Sequence, residues 1–171
     1  MSTAERVAPT GLTSAESGAW RGLLRAHAGL VKALDAELER AHGLGLSSFE
    51  VLARLDAAPE RRMRMCDLAE SVLLSRSGLT RLVDRLERDG FVARHSCEQD
   101  ARGSFAVLSE AGAEIVRAAR ATHIEGVRRH FLGRFSAPEL DSLRGFLGRL
   151  GDDSAAESCG EGRAGAVEPA S

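Results

Sequence analysis

The chain has 171 residues with a formal net charge of −2, and 43% of its residues are hydrophobic. That is one domain's length with enough apolar content for a real core, and no apolar run reaches the about 18–20 residues of a membrane helix. Three scattered cysteines, Cys66, Cys97 and Cys159, form no CxxC pair, which argues against a disulfide framework or a zinc ribbon and fits a reducing cytoplasm.

The charge is unevenly placed. Residues 151–171 hold Asp152, Asp153, Glu157, Glu161 and Glu168 against Arg163, a net −4, which leaves +2 on residues 1–150. The start, Met1-Ser2-Thr3-Ala4-Glu5, is polar and lacks a signal-peptide core; the expected location is the cytoplasm. Residues 1–12 and the Gly/Ala/Ser/Glu-rich tail 151–171 have little to bury and are expected to be disordered.

In chain order, Thr13-Ser14-Ala15-Glu16 is a capping box opening a long helix to about Ala41, ended by Gly43 and Gly45. At 100° per residue, Trp20, Leu23, Leu24, His27, Val31, Leu34 and Leu38 share one stripe. Ser47-Ser48-Phe49-Glu50 reads as a second capping box, for a short helix that buries Val51, Leu52 and Leu55 and stops before Pro59. Arg62-Met63-Arg64-Met65 alternates like a short strand. Helices at about 67–73 and 76–89 follow, with Gly90 placed for a left-handed cap.

Two apolar runs, Phe91-Val92-Ala93 and Phe105-Ala106-Val107-Leu108, flank a polar turn holding Asp100 and Arg102, which reads as a β-hairpin. Ser109 opens a helix through about Leu132, and Ser136-Ala137-Pro138-Glu139 opens a last one to about Leu150. A helix, a turn, a polar-faced helix and a hairpin make a winged helix-turn-helix, an arrangement that sets one helix in a major groove. The expected fold is therefore mostly α with a small β-wing. Residues 13–150 form one domain, with the head at 47–108 and helices for dimerisation at 13–45 and 109–150. The apolar faces of the end helices exceed what the head can cover. Two heads about one helical turn apart suit a pseudo-palindromic double-stranded DNA site.

On these residues the chain resembles the MarR (multiple antibiotic resistance regulator) family. The resemblance lies in Leu68-Ala69, Ser75-Arg76-Ser77, Thr80-Arg81-Leu82-Val83-Asp84-Arg85-Leu86-Glu87, Gly90, the pair Asp100 and Arg102, Val107-Leu108-Ser109 and Gly112, over roughly residues 14–150. Ser109 stands where the family usually has Thr, and Cys66 where a Ser, Thr or Asp cap is commoner. The resemblance implies a homodimeric transcription factor, usually a repressor, released from DNA by a small ligand or by cysteine oxidation. It puts Ser75, Ser77, Thr80 and Arg81 toward DNA and Arg102 into the minor groove from the wing tip. Asp100 then braces Arg102 or a recognition-helix arginine.

Within this head, Arg76 and Arg81 are read as DNA contacts, while Arg85 and Arg88 are read as intramolecular or phosphate partners. Ser75 serves as helix cap and phosphate donor together. Trp20, Arg21 and His27 form a candidate pocket for an aromatic anion, the bland alternative for His27 being an interface histidine. Glu50 and Arg54 can border such a cleft or be surface charge. Cys66, near a helix N-terminus and Arg64, is a candidate redox switch against the reading of a small buried residue. His123 and His130 lie two turns apart without a third ligand, so no metal site is assigned. No cofactor and no catalytic motif is read from the chain. The rival of another class is a winged helix used only for protein interaction; arginine at both 81 and 102 favours DNA.

Overall fold

The computed structural model describes residues 11–151 except 73, 98 and 99, and for 96–103 and 151 the backbone alone. The expected disorder of 1–12 and 151–171 therefore falls, but for residues 11, 12 and 151, outside the described residues. In chain order the elements are α1 (Ser14–His42), α2 (Leu46–Ala57), β1 (Arg62–Arg64), α3 (Met65–Ser71), α4 (Arg76–Arg88), β2 (Val92–Cys97), β3 (Asp100–Leu108), α5 (Glu110–His130) and α6 (Ala137–Gly151), with short 3-10 turns at Pro59–Arg61 and Leu132–Arg134. The fold is mostly helical with one small antiparallel sheet of order β1-β3-β2. Two compact units meet in sequence at Phe131 and Leu132.

The local signals explain most of the boundaries. Thr13 accepts a hydrogen bond from the Glu16 N–H, and the Glu16 carboxylate accepts from the Thr13 N–H at 2.7 Å, so the first capping box is complete. Gly43 ends α1 at φ 64°, a conformation that glycine adopts without steric cost. Ser109 caps α5 by accepting from the Gly112 N–H at 3.0 Å and donates to the Gly90 carbonyl at 2.7 Å. At the start of α6, Glu139 accepts from both the N–H and the hydroxyl of Ser136.

The second capping box does not form as expected. The helix begins earlier, at Leu46, with Gly45 as N-cap and no side-chain cap within the segment. Asp35, brought over from α1, accepts from the Leu46 N–H at 2.8 Å. Ser48 is buried and accepts from Arg85 Nη2 at 2.7 Å instead. A tertiary carboxylate thus replaces the local hydroxyl.

The core of the first unit joins Leu38 of α1, Val51, Leu52 and Leu55 of α2, Leu68 of α3, and Leu79, Val83 and Leu86 of α4 to Val92, Ala106 and Leu108 of the sheet and to Val116 of α5. Burying one such side chain contributes about 1.5–3 kcal/mol. Arg61 pairs with Glu110 at 3.0 Å, and Asp56 pairs with Arg120 at 2.9 Å, tying the end of α2 to α5. Further along, Glu37 accepts from His130 at 2.9 Å and from Arg129 at 2.8 Å. The His130 hydrogen bond, with Arg129 beside it, holds Glu37 below the usual carboxylate range.

The apolar stripe of α1 is only half used. Leu38 is fully buried and Leu34 packs on the core, but Trp20 is 55% exposed, and Leu23, Leu24 and Val31 are exposed too. In the second unit, Phe146, Leu147 and Leu150 of α6 are exposed.

Candidate DNA-binding surface

The candidate surface is built on α4. Leu79, Val83 and Leu86 recur at i, i+4 and i+7 and are buried, which turns the opposite face to solvent. On that face Ser75, Arg76, Ser77, Thr80 and Arg81 are all exposed. Ser75 caps the helix by accepting from the Gly78 N–H at 3.1 Å, and its hydroxyl lies 3.4 Å from that of Ser77. A capped N-terminus with two hydroxyls beside it is a ready acceptor of phosphate. Arg81 Nε donates to the Ser77 carbonyl at 3.4 Å, and the Thr80 hydroxyl to the Arg76 carbonyl at 2.8 Å. Among the described residues neither Arg76 nor Arg81 forms an ion pair, so both charges stand open to an external anion. Arg85 differs. It points back to Ser48, and Arg88 Nε donates to the Asp84 carbonyl at 3.3 Å.

The hairpin lies against this helix. Gly90, at φ 79°, turns the chain from α4 into β2, and Phe91 N–H returns to the Leu86 carbonyl at 2.9 Å. Pairing of β2 with β3 puts Val92 opposite Leu108 and Arg94 opposite Ala106. Val92, Ala106 and Leu108 are buried, so this face looks toward the core and Arg94 leaves it toward α4. Arg94 Nη2 donates to Asp84, and also to the Thr80 carbonyl at 3.1 Å. Its backbone N–H donates to Glu87 Oε1 at 3.1 Å.

Sequence reading missed Arg94. The signal was available: Val92 and Arg94 are two apart on an alternating strand, and Asp84 and Glu87 are three apart on the helix that precedes it. The other face of the sheet carries Arg62 and Arg64, each 5.5 Å from the Phe105 ring centre. Asp100 opens β3, but the side chains of Asp100, Arg102 and Cys97 lie outside the described residues.

Of the clefts among the described residues, two flank the head. One, of ≈ 370 Å³, is bordered by Phe49, Glu50 and Arg54 of α2, Ser71 and Val72, and His123 of α5. The His123 ring lies 4.6 Å from that of Phe49 at 30°. Burial pushes the Glu50 carboxyl up against the opposing pull of Arg54, and burial lowers the His123 imidazole. The other, of ≈ 360 Å³, lies between Asp35 and Glu39 of α1 and Arg85 and Asp89 of α4. Trp20, Arg21 and His27 border neither; all three are exposed on α1, where Arg21 Nε donates to the Ser17 carbonyl at 3.2 Å. The structure of the single chain thus does not gather them with the head. Cys66 is exposed, not buried, and its thiol donates to Asp67 Oδ1 at 3.2 Å.

The MarR family model matches residues 44–104, which span the head and much of the wing. The transcriptional regulator PecS of Dickeya dadantii (strain 3937) is 30% identical over 121 residues, covering 70% of this chain and 71% of that one. AbsC of Streptomyces coelicolor, a MarR family transcriptional regulator, superposes with a TM-score of 0.80 at 34% identity over 87% of this chain and 100% of its own. The chain belongs to the MarR family. Sco3205 of Streptomyces coelicolor, a MarR family regulator solved in complex with DNA, matches with a TM-score of 0.81 at 34% identity, covering 88% and 94% of the two chains.

These relatives are transcriptional regulators. The mostly α fold with a β-wing expected from sequence is the MarR architecture found here. Among the described residues no helix is long and apolar enough to cross a membrane. Within this MarR-family head, α3 and α4 are the helix-turn-helix and β2–β3 the wing.

Proposed function

We propose that this chain is a homodimeric, sequence-specific DNA-binding repressor that a small aromatic, anionic ligand releases from its operator. The observation that carries the DNA reading is the open pair Arg76 and Arg81 on α4, beside the Ser75 cap. Arg81 is suited to a guanine edge, while Ser75, Ser77, Thr80 and Arg76 are suited to phosphates and flanking bases. Asp100 and Arg102 at the wing complete the contact set. That Sco3205, at 34% identity, is solved in complex with DNA supports the same reading.

Dimerisation is supported by the apolar faces left exposed on α1 and α6. In a dimer, two heads about 34–36 Å apart would match half-sites one turn of duplex apart. The ligand reading rests on the cleft at Phe49, Arg54 and His123, whose size suits a small molecule. Arg54 would take the carboxylate and the Phe49–His123 pair the ring. Trp20, Arg21 and His27 stay in this reading as groups of α1 that a second copy could bring to a ligand. A ligand that prefers the released state about 100-fold would shift the equilibrium by roughly 2.7 kcal/mol.

Selection of bound fragments from genomic DNA tests the core of this reading. The expected outcome is enrichment of pseudo-palindromic sites protected by a dimer. Binding without any sequence enrichment would remove the sequence-specific reading, and no recovery of DNA at all would favour the protein-interaction role.

A further inference from the structure

We propose that Arg94 is a positioning residue that makes the recognition helix and the wing one DNA-reading unit, so that sequence discrimination depends on a side chain facing away from the duplex. This rests on the DNA-binding reading above.

The geometry concentrates on one side chain. From the inner face of β2, the Arg94 guanidinium spans two turns of α4. Nη2 holds the Asp84 carboxylate and the Thr80 carbonyl at 3.1 Å, Nε lies 3.8 Å from Glu87 Oε2, and the backbone N–H donates to Glu87 Oε1. The Arg94 side chain is 28% exposed, so these contacts are partly shielded from solvent and salt. Thr80 and its neighbour Arg81 are among the α4 residues that the proposed function puts toward DNA. Arg94 therefore grips the backbone of the reading surface itself, and the wing turn begins a few residues further along the same strand. This link adds side-chain contacts between α4 and the wing to the Gly90 turn, the Phe91–Leu86 backbone bond and the buried Val92.

The same link has an electrostatic consequence. Asp84 and Glu87 are the acidic residues of α4, and Arg94 engages both. Freed, they would add two carboxylates to a surface that must accept phosphates. A planar guanidinium with several donors can hold a carboxylate and a carbonyl together, whereas an ammonium acts as a point charge. Lysine at 94 should therefore keep the charge and lose the geometry.

The test uses the full-length protein, the duplex recovered by genomic selection and a scrambled duplex of equal length, titrated at several salt concentrations. In Arg94→Ala the ratio of operator to scrambled affinity should fall about tenfold or more, the scale of coupled contacts, with dimer mass and helical content unchanged. Arg94→Lys should restore scrambled-duplex affinity without restoring the ratio. Asp84→Asn attacks the link from the helix side and stays informative if the Arg94 variants fold poorly. It removes a negative charge, so a purely electrostatic surface would bind DNA more tightly. A lower ratio in Asp84→Asn supports positioning. Tighter binding at an unchanged ratio, or an unchanged ratio in Arg94→Ala, overturns the proposal. Wild-type protein that does not discriminate between the duplexes would instead sink the DNA reading itself, and this proposal with it.

Discussion

Gly112 in the first turn of α5 lies directly against the Phe91 carbonyl at the start of the wing: a Cβ on Gly112 would stand 2.3 Å from that oxygen and 2.7 Å from Leu108 Cδ1. No side chain fits there without backbone movement. The close approach lets Phe91 O accept from the Ser109 N–H at 3.0 Å and joins hairpin to helix. Gly112→Ala should therefore destabilise the fold by about 1–3 kcal/mol, as overpacked cores do. Denaturant midpoints at constant m-value measure this, and an unaltered midpoint would contradict the packing seen here.

Arg81→Ala should reduce discrimination of the operator from its variants by about 1–3 kcal/mol if Arg81 reads a guanine. Arg102→Ala should weaken all duplexes alike and lower the salt slope by about one unit. Competition titrations separate the two patterns. Operator affinity unchanged in both variants would refute the assigned surface.

Light scattering should give about twice the 18.2 kDa chain mass. Trp20 is the single tryptophan and 55% exposed in one chain. If α1 is covered by a second copy, its emission should shift to the red on dilution as the dimer separates. A monomer at micromolar concentration would exclude the two-head mechanism.

Burial beside Phe49 lowers the His123 pKa below its ordinary value. The unfolded chain then binds the proton more readily than the native one, so stability rises with pH across this range. The contribution is present above the ordinary histidine value of about 6.5 and is lost as pH falls through the lowered native value. His123→Gln should flatten the melting temperature between pH 7 and 5 relative to wild type. A parallel pair of profiles would show that His123 is not the group responsible.

Benzoate, as a plain aromatic carboxylate, should lower operator affinity equally in wild type and in Cys66→Ser, and less in Arg54→Ala. A peroxide response that disappears in Cys66→Ser would transfer the switch to the exposed thiol. Indifference to both benzoate and peroxide would remove both signals and leave the DNA reading standing.

Local chemistry alone determined much of this protein. The Thr13 box, the left-handed Gly43 and Gly90, the Ser75 and Ser109 caps and the buried spacing of α4 depend on neighbours within a few residues, and they read directly from the chain. So did the open face of α4, because a helix that buries Leu79, Val83 and Leu86 leaves Arg76 and Arg81 no other side. Tertiary structure decided what depends on distant partners. In place of the expected Ser47 box, α2 begins at Leu46 with Gly45 as N-cap, and the Asp35 carboxylate of α1 accepts from the Leu46 N–H. Contacts across the hairpin gave Arg94 its grip on Asp84 and Thr80. Packing of α5 on α2 brought His123 to Phe49 and made a cleft of Glu50 and Arg54, while Trp20 and His27, on the same stripe of α1 as the buried Leu38, and Arg21 beside Trp20 are exposed in the single chain. Periodicity marks which side of a helix is apolar; what covers that side is settled by where the rest of the chain ends up.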